Sequence, residues 1–375
     1  MNRLAVLDRG VLRVHDVDRG TSATLSSSDA ANRQPTWSPD GRLLAWSRFD
    51  RRDADAHARV VVAEVGRSAR RELDIVFPAF YLHWRPDSGA LAALGEGPLG
   101  LELTLLDLAT GDSSIAARGA PLYFDWSASG SLVVHVGIGA ERRLERHGGP
   151  GATAAAPCPL PAPSAFTAPA VRNGTDQTFA AVRRDGASLL VLLDRHGETT
   201  TRIAAFAGTA RFTVSGDGRR VAYVAMPDAD GTDARSFAPD VRPAVAGELV
   251  VHDVAGDSAV SIGPHAPVAF EWSPDGRHLA FLAPVEVGSA RWFRWHVWSD
   301  GELRELDWCR PSVVEAREYL PFAEQFTRSH RRWSPDSRRF CYAGTATDGS
   351  DGVWIASLDG GTQRLCAGQA AVWSP

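Results

Sequence analysis

Trp37-Ser38-Pro39-Asp40-Gly41, followed by Arg42-Leu43-Leu44-Ala45-Trp46, decides the fold, because the chain repeats it. Clear copies stand at Trp272-Ser273-Pro274-Asp275-Gly276 and Trp333-Ser334-Pro335-Asp336-Ser337. Weaker ones are Trp84-Arg85-Pro86-Asp87-Ser88, Trp126-Ser127-Ala128-Ser129-Gly130 and Val214-Ser215-Gly216-Asp217-Gly218. Ala170-Val171-Arg172-Asn173-Gly174 keeps only the turn, and Trp373-Ser374-Pro375 is a truncated copy at the end. Recurrence at roughly 40–50 residues marks a repeat architecture in which each copy builds one unit of a propeller or solenoid.

Each copy reads as strand, tight turn, strand. Asp-Gly closes a turn because glycine accepts positive φ without steric cost and aspartate bonds its own turn backbone. The short apolar runs that follow, Leu43-Leu44-Ala45-Trp46 and His278-Leu279-Ala280-Phe281, suit strands covered on both faces. A third strand is expected at Leu101 to Asp107 in one copy and at Glu248 to Asp253 in another, with a polar fourth strand after it. The chain stops at Ser374-Pro375, where Asp-Gly would come next, and begins with Arg3-Leu4-Ala5-Val6-Leu7, which reads like the run after that turn. The C-terminal strand is therefore expected to be the inner strand of a sheet whose other three strands are N-terminal, which removes two free edges. The marks at 37, 84, 126, 171, 214, 272, 333 and 373 predict an all-β, eight-bladed β-propeller occupying residues 1–375 as one domain, with seven blades as the alternative.

Composition excludes several functions. The net charge of −5 is spread along the chain, so no nucleic-acid footprint or basic membrane face stands out. All 40 basic residues are arginine, which rules out a lysine nucleophile or Schiff base. Cys158, Cys309, Cys341 and Cys366 show no metal-ligand spacing, and Met1 to Gly20 has no continuous apolar core. A cytoplasmic monomer without membrane insertion is the expectation.

The copies resemble the TolB-type repeat (WD40-like, PD40), within the wider group that includes the propeller domain of dipeptidyl-peptidase-IV-like enzymes. The resemblance spans nearly the whole chain in architecture but only some ten residues per copy, so it implies the fold and is silent on activity. Eight marks exceed the six blades of TolB itself. No hydrolase domain is expected after the repeats, and the sequence has no GxSxG nucleophile elbow.

In a four-stranded blade the Asp-Gly turns face one end, and the second-to-third turns and blade connections face the other. Every long insertion is expected at that second end: Asp50 to His57, Met226 to Gly247, Pro284 to Ala290, Pro311 to Arg328 and Thr345 to Gly352. Loops of this length in a compact fold carry function or are disordered. The densest segment runs from Trp308 into the strand at Trp333. Its apolar spacing from Val313 to Phe326 suits a short helix broken at Pro321.

Tyr319, Gln325 and His330 are the candidate catalytic residues there, with His330 as general acid or base. Arg328, Phe322, Arg310, His265 and His83 are candidate binding residues. Asp228, Asp230 and Asp233 have the carboxylate spacing of a calcium loop but lack its downstream glutamate, so a surface turn is the plainer reading. No other cofactor is evident. His15 and His252 sit in matching strings and read as structural. Trp292, Trp295 and Trp298 are expected to share one strand face and pack on a neighbouring blade.

Two functions remain open. One is a binding or scaffold module that takes a small molecule or protein partner at the insertion-bearing rim, for instance in a transporter or biosynthetic complex. The other is a small-molecule enzyme of specialised metabolism (lyase, cyclase or hydrolase) with its site in the central funnel.

Overall fold

The computed structural model describes residues 2–27, 30–50, 58–150, 156–164, 167–184, 186–226, 240–287 and 290–375. Among these, strands dominate, and the one α-helix is the four-residue Ala323–Phe326. The strands form six four-stranded sheets and one of seven. The chain divides into two compact units, one made of Met1–Ala117, Val285–Trp295 and Glu305–Pro375, the other of Arg118–Pro284 and His296–Arg304.

In the first unit, the C-terminal strand Ala370–Trp373 pairs antiparallel with Arg3–Asp8 through Leu4↔Trp373 to Leu7↔Ala370. Val11–Asp16 and Thr21–Thr24 follow outward, so the sheet is closed by the end of the chain as its terminal sequences imply. Ala30–Trp37, Leu43–Asp50, Ala58–Glu64 and Arg70–Ile75 form the next sheet, and Ala79–Trp84 opens a third. In the second unit, sheets open with Leu122–Trp126, Ala170–Val171 and Thr209–Val214. The seven-stranded sheet contains the strands after the marks at 272 and 333, and the second mark contributes only the bridge Trp333↔Phe340.

Each residue of the repeated phrase has a visible task. Ser38 Oγ donates to Asp40 Oδ1 (2.5 Å) and accepts Leu43 N–H (2.9 Å), while Asp40 Oδ1 accepts Arg42 N–H (3.1 Å). The same three bonds recur at Ser273/Asp275 and Ser334/Asp336. The fifth position needs left-handed backbone: φ is +68° at both Gly41 and Gly276, and Ser337 holds +60° without glycine's freedom. The tryptophan stitches neighbouring sheets. Trp37 Nε1 donates to Val372 O (3.1 Å), Trp84 Nε1 to Thr36 O (3.1 Å) and Trp272 Nε1 to Thr213 O (3.3 Å). In each case the acceptor precedes the mark of the previous sheet.

Three local expectations need correction. Pro284 to Ala290 is not a loop over its described residues, because the paired strands His278–Val287 and Ala290–Ser299 run into it from either side. Thr345 to Gly352 is likewise a hairpin tip, with Thr345↔Asp351 and Gly344↔Gly352 paired. Trp292, Trp295 and Trp298 do not share a face, since a spacing of three on a period-two strand reverses the side chain. Trp295 packs on Phe340 (4.7 Å between ring centroids), and Trp298 meets Trp272 edge-on at 6.4 Å.

Candidate functional site

The segment that leaves Glu302–Pro311 and returns at Trp333 is a genuine insertion in the first unit. It winds as a π-type turn at Glu315–Tyr319, a 3-10 turn at Leu320–Phe322 around Pro321, and the helix Ala323–Phe326. The helix and its break were legible in the sequence. Its attachment was not. Strand Ala30–Trp37 bulges between Arg33 and Thr36, where Gln34 takes φ +55°, and its side-chain amide donates to Glu318 Oε2 (3.0 Å). Such a backbone conformation in a non-glycine residue persists only where its surroundings hold it. Thr36 Oγ1 donates to Ser329 O (2.9 Å), and Tyr81 OH donates to Gln325 O (2.9 Å). Glu315 and Arg332, both buried, contact each other as an ion pair, and the Arg332 guanidinium also lies 5.4 Å from the Trp295 ring centroid. Burial pushes the Glu315 carboxyl up while the Arg332 charge opposes it.

The structure brings the three catalytic candidates together, but in a packed interior. His330 is 3% exposed and sits among Phe326 (4.9 Å), Tyr319 (5.3 Å) and Tyr81 (6.1 Å). Its Nδ1 lies 2.6 Å from Ser329 Oγ, while its Nε2 and the Tyr319 hydroxyl reach no hydrogen-bond partner among the described residues. Burial, with the charges of His83 and Arg332, lowers His330 to about 3. Burial also drives the Tyr319 phenol well above its ordinary value. Both groups stay neutral at physiological pH, each far from a pKa suited to proton transfer. Gln325 is buried at 2% and serves through its carbonyl. Tyr319→Phe removes a desolvated hydroxyl without a hydrogen-bond partner among the described residues, so stability in urea should be unchanged or rise by about 1 kcal/mol. A loss above about 2 kcal/mol would reveal a bonded partner for that hydroxyl.

The binding candidates separate. His83 and Arg328 line a cavity of about 40 Å³ together with Thr36, Ser329 and Arg331, walled by the rings of Trp37, Trp84 and Trp373. Burial first, then the Arg328 and Arg331 charges, lower His83 to about 3. Arg310 is instead exposed and lies 4.2 Å from the Trp292 ring centroid, and Phe322 points outward at 43% exposure. His265 belongs to the second unit, near Phe281 (5.1 Å) and His296 (5.3 Å). Asp228, Asp230 and Asp233 lie outside the described residues; among those described, no group of three or more His, Cys, Asp or Glu could hold a metal ion. Sequence reasoning missed Arg331 and Ser329 as cavity residues. Their only signal was nearness to the inner strand at Trp333.

The second unit has its own groove of about 660 Å³, between Thr200 to Ile203 and Arg242, His252 and Asp257. No helix among the described residues is long and apolar enough to cross a membrane. None of the four cysteines forms a disulfide.

No family model matches the sequence, and no curated protein matches it. Among solved structures, a eukaryotic initiation factor matches with TM-score 0.59 and 12% identity, covering 100% of this chain and 98% of that one. The β-propeller domain of the Trilobed protease from Pyrococcus furiosus, described as having an open velcro topology, matches with TM-score 0.51 and 15% identity over 91% and 99%. The fold is a β-propeller. TolB from Acinetobacter baumannii is also similar, with TM-score 0.43 and 14% identity over 81% of this chain, and this chain spans 65% of its length. At these identities the likeness to TolB-type and peptidase-type propellers is one of fold, as the repeated phrase implied.

Proposed function

We propose that the chain is an eight-bladed, non-catalytic binding module that captures a protein partner with the insertion-bearing end of its first unit. The observation that carries this reading is where exposed apolar side chains fall. In the first unit, the large hydrophobics exposed among the described residues are Val76 (75%), Leu99 (87%), Ile115 (43%), Val313 (62%) and Phe322 (43%). All but Ile115 stand at the end of their sheets opposite the Asp-Gly turns. Val76 lies on a blade connection, Leu99 on a second-to-third turn, and Val313 and Phe322 on the inserted segment. Scattered apolar side chains are ordinary on a surface, but a bias to one end is the footprint of an interaction face. The buried face of the same segment anchors it, so the exposed face is presented on a fixed platform. The enzyme reading with His330 as proton carrier is set aside because that imidazole is sealed and neutral. Eight blades are supported by the marks, each ending an inner strand or a bridge.

In a pull-down from extracts of the source organism, immobilised protein should retain specific partners, identified by mass spectrometry. Leu99→Asp/Phe322→Asp should lose them, while Ile115→Asp, on an outer strand, should keep them. Equal capture by all three proteins would place the interaction face elsewhere.

A further inference from the structure

His15 and His252 stand in matching strings, Val14-His15-Asp16-Val17 and Val251-His252-Asp253-Val254, each on the third strand of its sheet. Their surroundings differ. Beside His15, Cys366 on the preceding sheet's outer strand, Thr362–Cys366, places its Sγ 3.7 Å from Nε2. Beside His252, Thr200 to Ile203 of the preceding sheet's outer strand, Thr199–Phe206, instead form the other wall of the groove of about 660 Å³. His252 is 3% exposed and lines that groove, and neither of its ring nitrogens reaches a hydrogen-bond partner among the described residues. Leaving a buried imidazole so costs free energy that a ligand able to bond it would recover. We infer that the groove is a binding site for a neutral polyhydroxylated molecule, a mono- or disaccharide.

The chemistry of the walls selects that class. Among the described lining residues, Arg202 and Arg242 are matched by Asp240 and Asp257, which gives a free anion or cation no advantage. Arg202 and Asp240 are spent on each other at 2.7 Å. Arg242 donates one guanidinium N–H to Ala259 O (3.3 Å) and has no carboxylate in ion-pair contact among the described residues. The exposed Asp257 carboxylate stops 3.7 Å from His252 Nε2, beyond hydrogen-bond reach. Burial holds the His252 pKa below its ordinary value; the Asp257 and Asp253 charges oppose that shift and Arg242 adds to it. The ring is therefore neutral at pH 7 and offers one donor and one acceptor. The groove thus presents a guanidinium donor, a carboxylate acceptor and an imidazole that is both. A hydroxyl answers all three, since it donates and accepts at once. The buried Ile203 and Val241 suit the C–H face of a sugar ring. Small-molecule sites span roughly 300–1,000 Å³, a range that includes this groove.

Titration of the whole protein with D-glucose, D-galactose, D-mannose and maltose, followed by calorimetry and by NMR of the histidine ring protons, tests this. At least one of these sugars should bind saturably and shift the ring signal that His252→Phe removes. His252→Phe keeps a ring but deletes both nitrogens, and should weaken binding by about tenfold or more. If that variant fails to fold, Asp257→Asn carries the test. The residue is exposed, and its φ of +47° suits asparagine as it does aspartate. Losing its charge-assisted acceptor should weaken binding roughly ten- to a hundredfold. β-Alanine and sodium sulfate, as zwitterionic and anionic probes, should not displace the sugar. Leu99→Asp/Phe322→Asp should bind it as the parent does, so a failed docking face leaves this result readable. No saturation by any of these sugars, displacement by β-alanine or sulfate, or unchanged affinity in both His252→Phe and Asp257→Asn overturns the site.

Discussion

Deleting Ala370 to Pro375 should leave no soluble, folded protein. The strand Ala370–Trp373 is the inner strand of the sheet it completes, so its loss opens an edge along Arg3–Asp8. The end of the chain is also tied down by other bonds. Trp37 Nε1 donates to Val372 O (3.1 Å), Trp373 N–H to Arg331 O (2.8 Å) and Ser374 N–H to Arg3 O (2.9 Å), while Ser312 donates to the adjoining Gln369 O. Trp373, 1% exposed, packs with Cys341, Ala343, Val353 and Ile355. Trp373→Ala alone should cost about 3–5 kcal/mol. That is a large part of the roughly 5–15 kcal/mol that holds a typical domain together. Soluble yield and gel filtration read the deletion, and urea unfolding reads the point variant. A soluble monomer with an unchanged melting temperature after deletion would show that the closure carries no stability.

Why the closure was legible, and the cavity was not, follows from the range of the interactions involved. The Ser-Pro-Asp-Gly phrase is a local device: its bonds span two to five residues, so its chemistry is written contiguously and recurs where the backbone recurs. Trp373-Ser374-Pro375 could be assigned as an inner strand on that basis alone. That Val313 to Phe326 winds helically with a break at Pro321 was also readable, since apolar spacing and proline are local signals, but the division into a π-type turn, a 3-10 turn and only four α-helical residues was not. By contrast, the cavity joins Thr36, His83, Arg328, Ser329, Arg331 and Trp373, and no pattern in the sequence brings these together. His330 shows the limit most directly. Its nearness to an inner strand was readable, but its orientation was not. Side-chain direction at the end of an irregular segment follows no period, and here the ring turns into the cluster of Tyr81, Tyr319 and Phe326. The bulge at Gln34 belongs to the same class, because only the partner it reaches, Glu318, explains its backbone.

Acid should destabilise the protein well before its carboxylates titrate. His83 and His330 are each held at about 3, chiefly by burial, against an ordinary histidine value of 6.5. His135 of the second unit is held at about 4 by burial, with Thr167 O pulling against the shift. Because the folded pKa values lie below the unfolded ones, the unfolded chain binds more protons between those limits. Stability is therefore full above about pH 7, falls as pH drops through 6.5, and keeps falling until the folded values are reached. At pH 5 each of His83 and His330 should cost about 2 kcal/mol, as 1.5 pH units at about 1.4 kcal/mol per unit. Asp40, Asp107 and Asp336, whose pKa values are lowered, lose their contribution only as pH falls below the ordinary carboxylate range. Glu315, pushed up by burial, acts in the opposite sense and gains a proton on folding as the pH falls.

Urea unfolding from pH 8 to 5 should thus show stability declining with a slope approaching that of two to three protons. His330→Phe keeps a ring among Tyr81, Tyr319 and Phe326 and removes one titrating group. It should lower that slope by about 1.4 kcal/mol per pH unit while leaving stability at pH 8 within about 1–2 kcal/mol of the parent. His330→Ala, which leaves a hole in the same cluster, should instead lose several kcal/mol at every pH, roughly the 3–5 kcal/mol of a large-to-small core change. The contrast between the two variants separates titration from packing. A parent protein with flat stability from pH 7 to 5 would mean that these imidazoles reach water or an anionic partner, and the interior placement of His330 would then have to be abandoned.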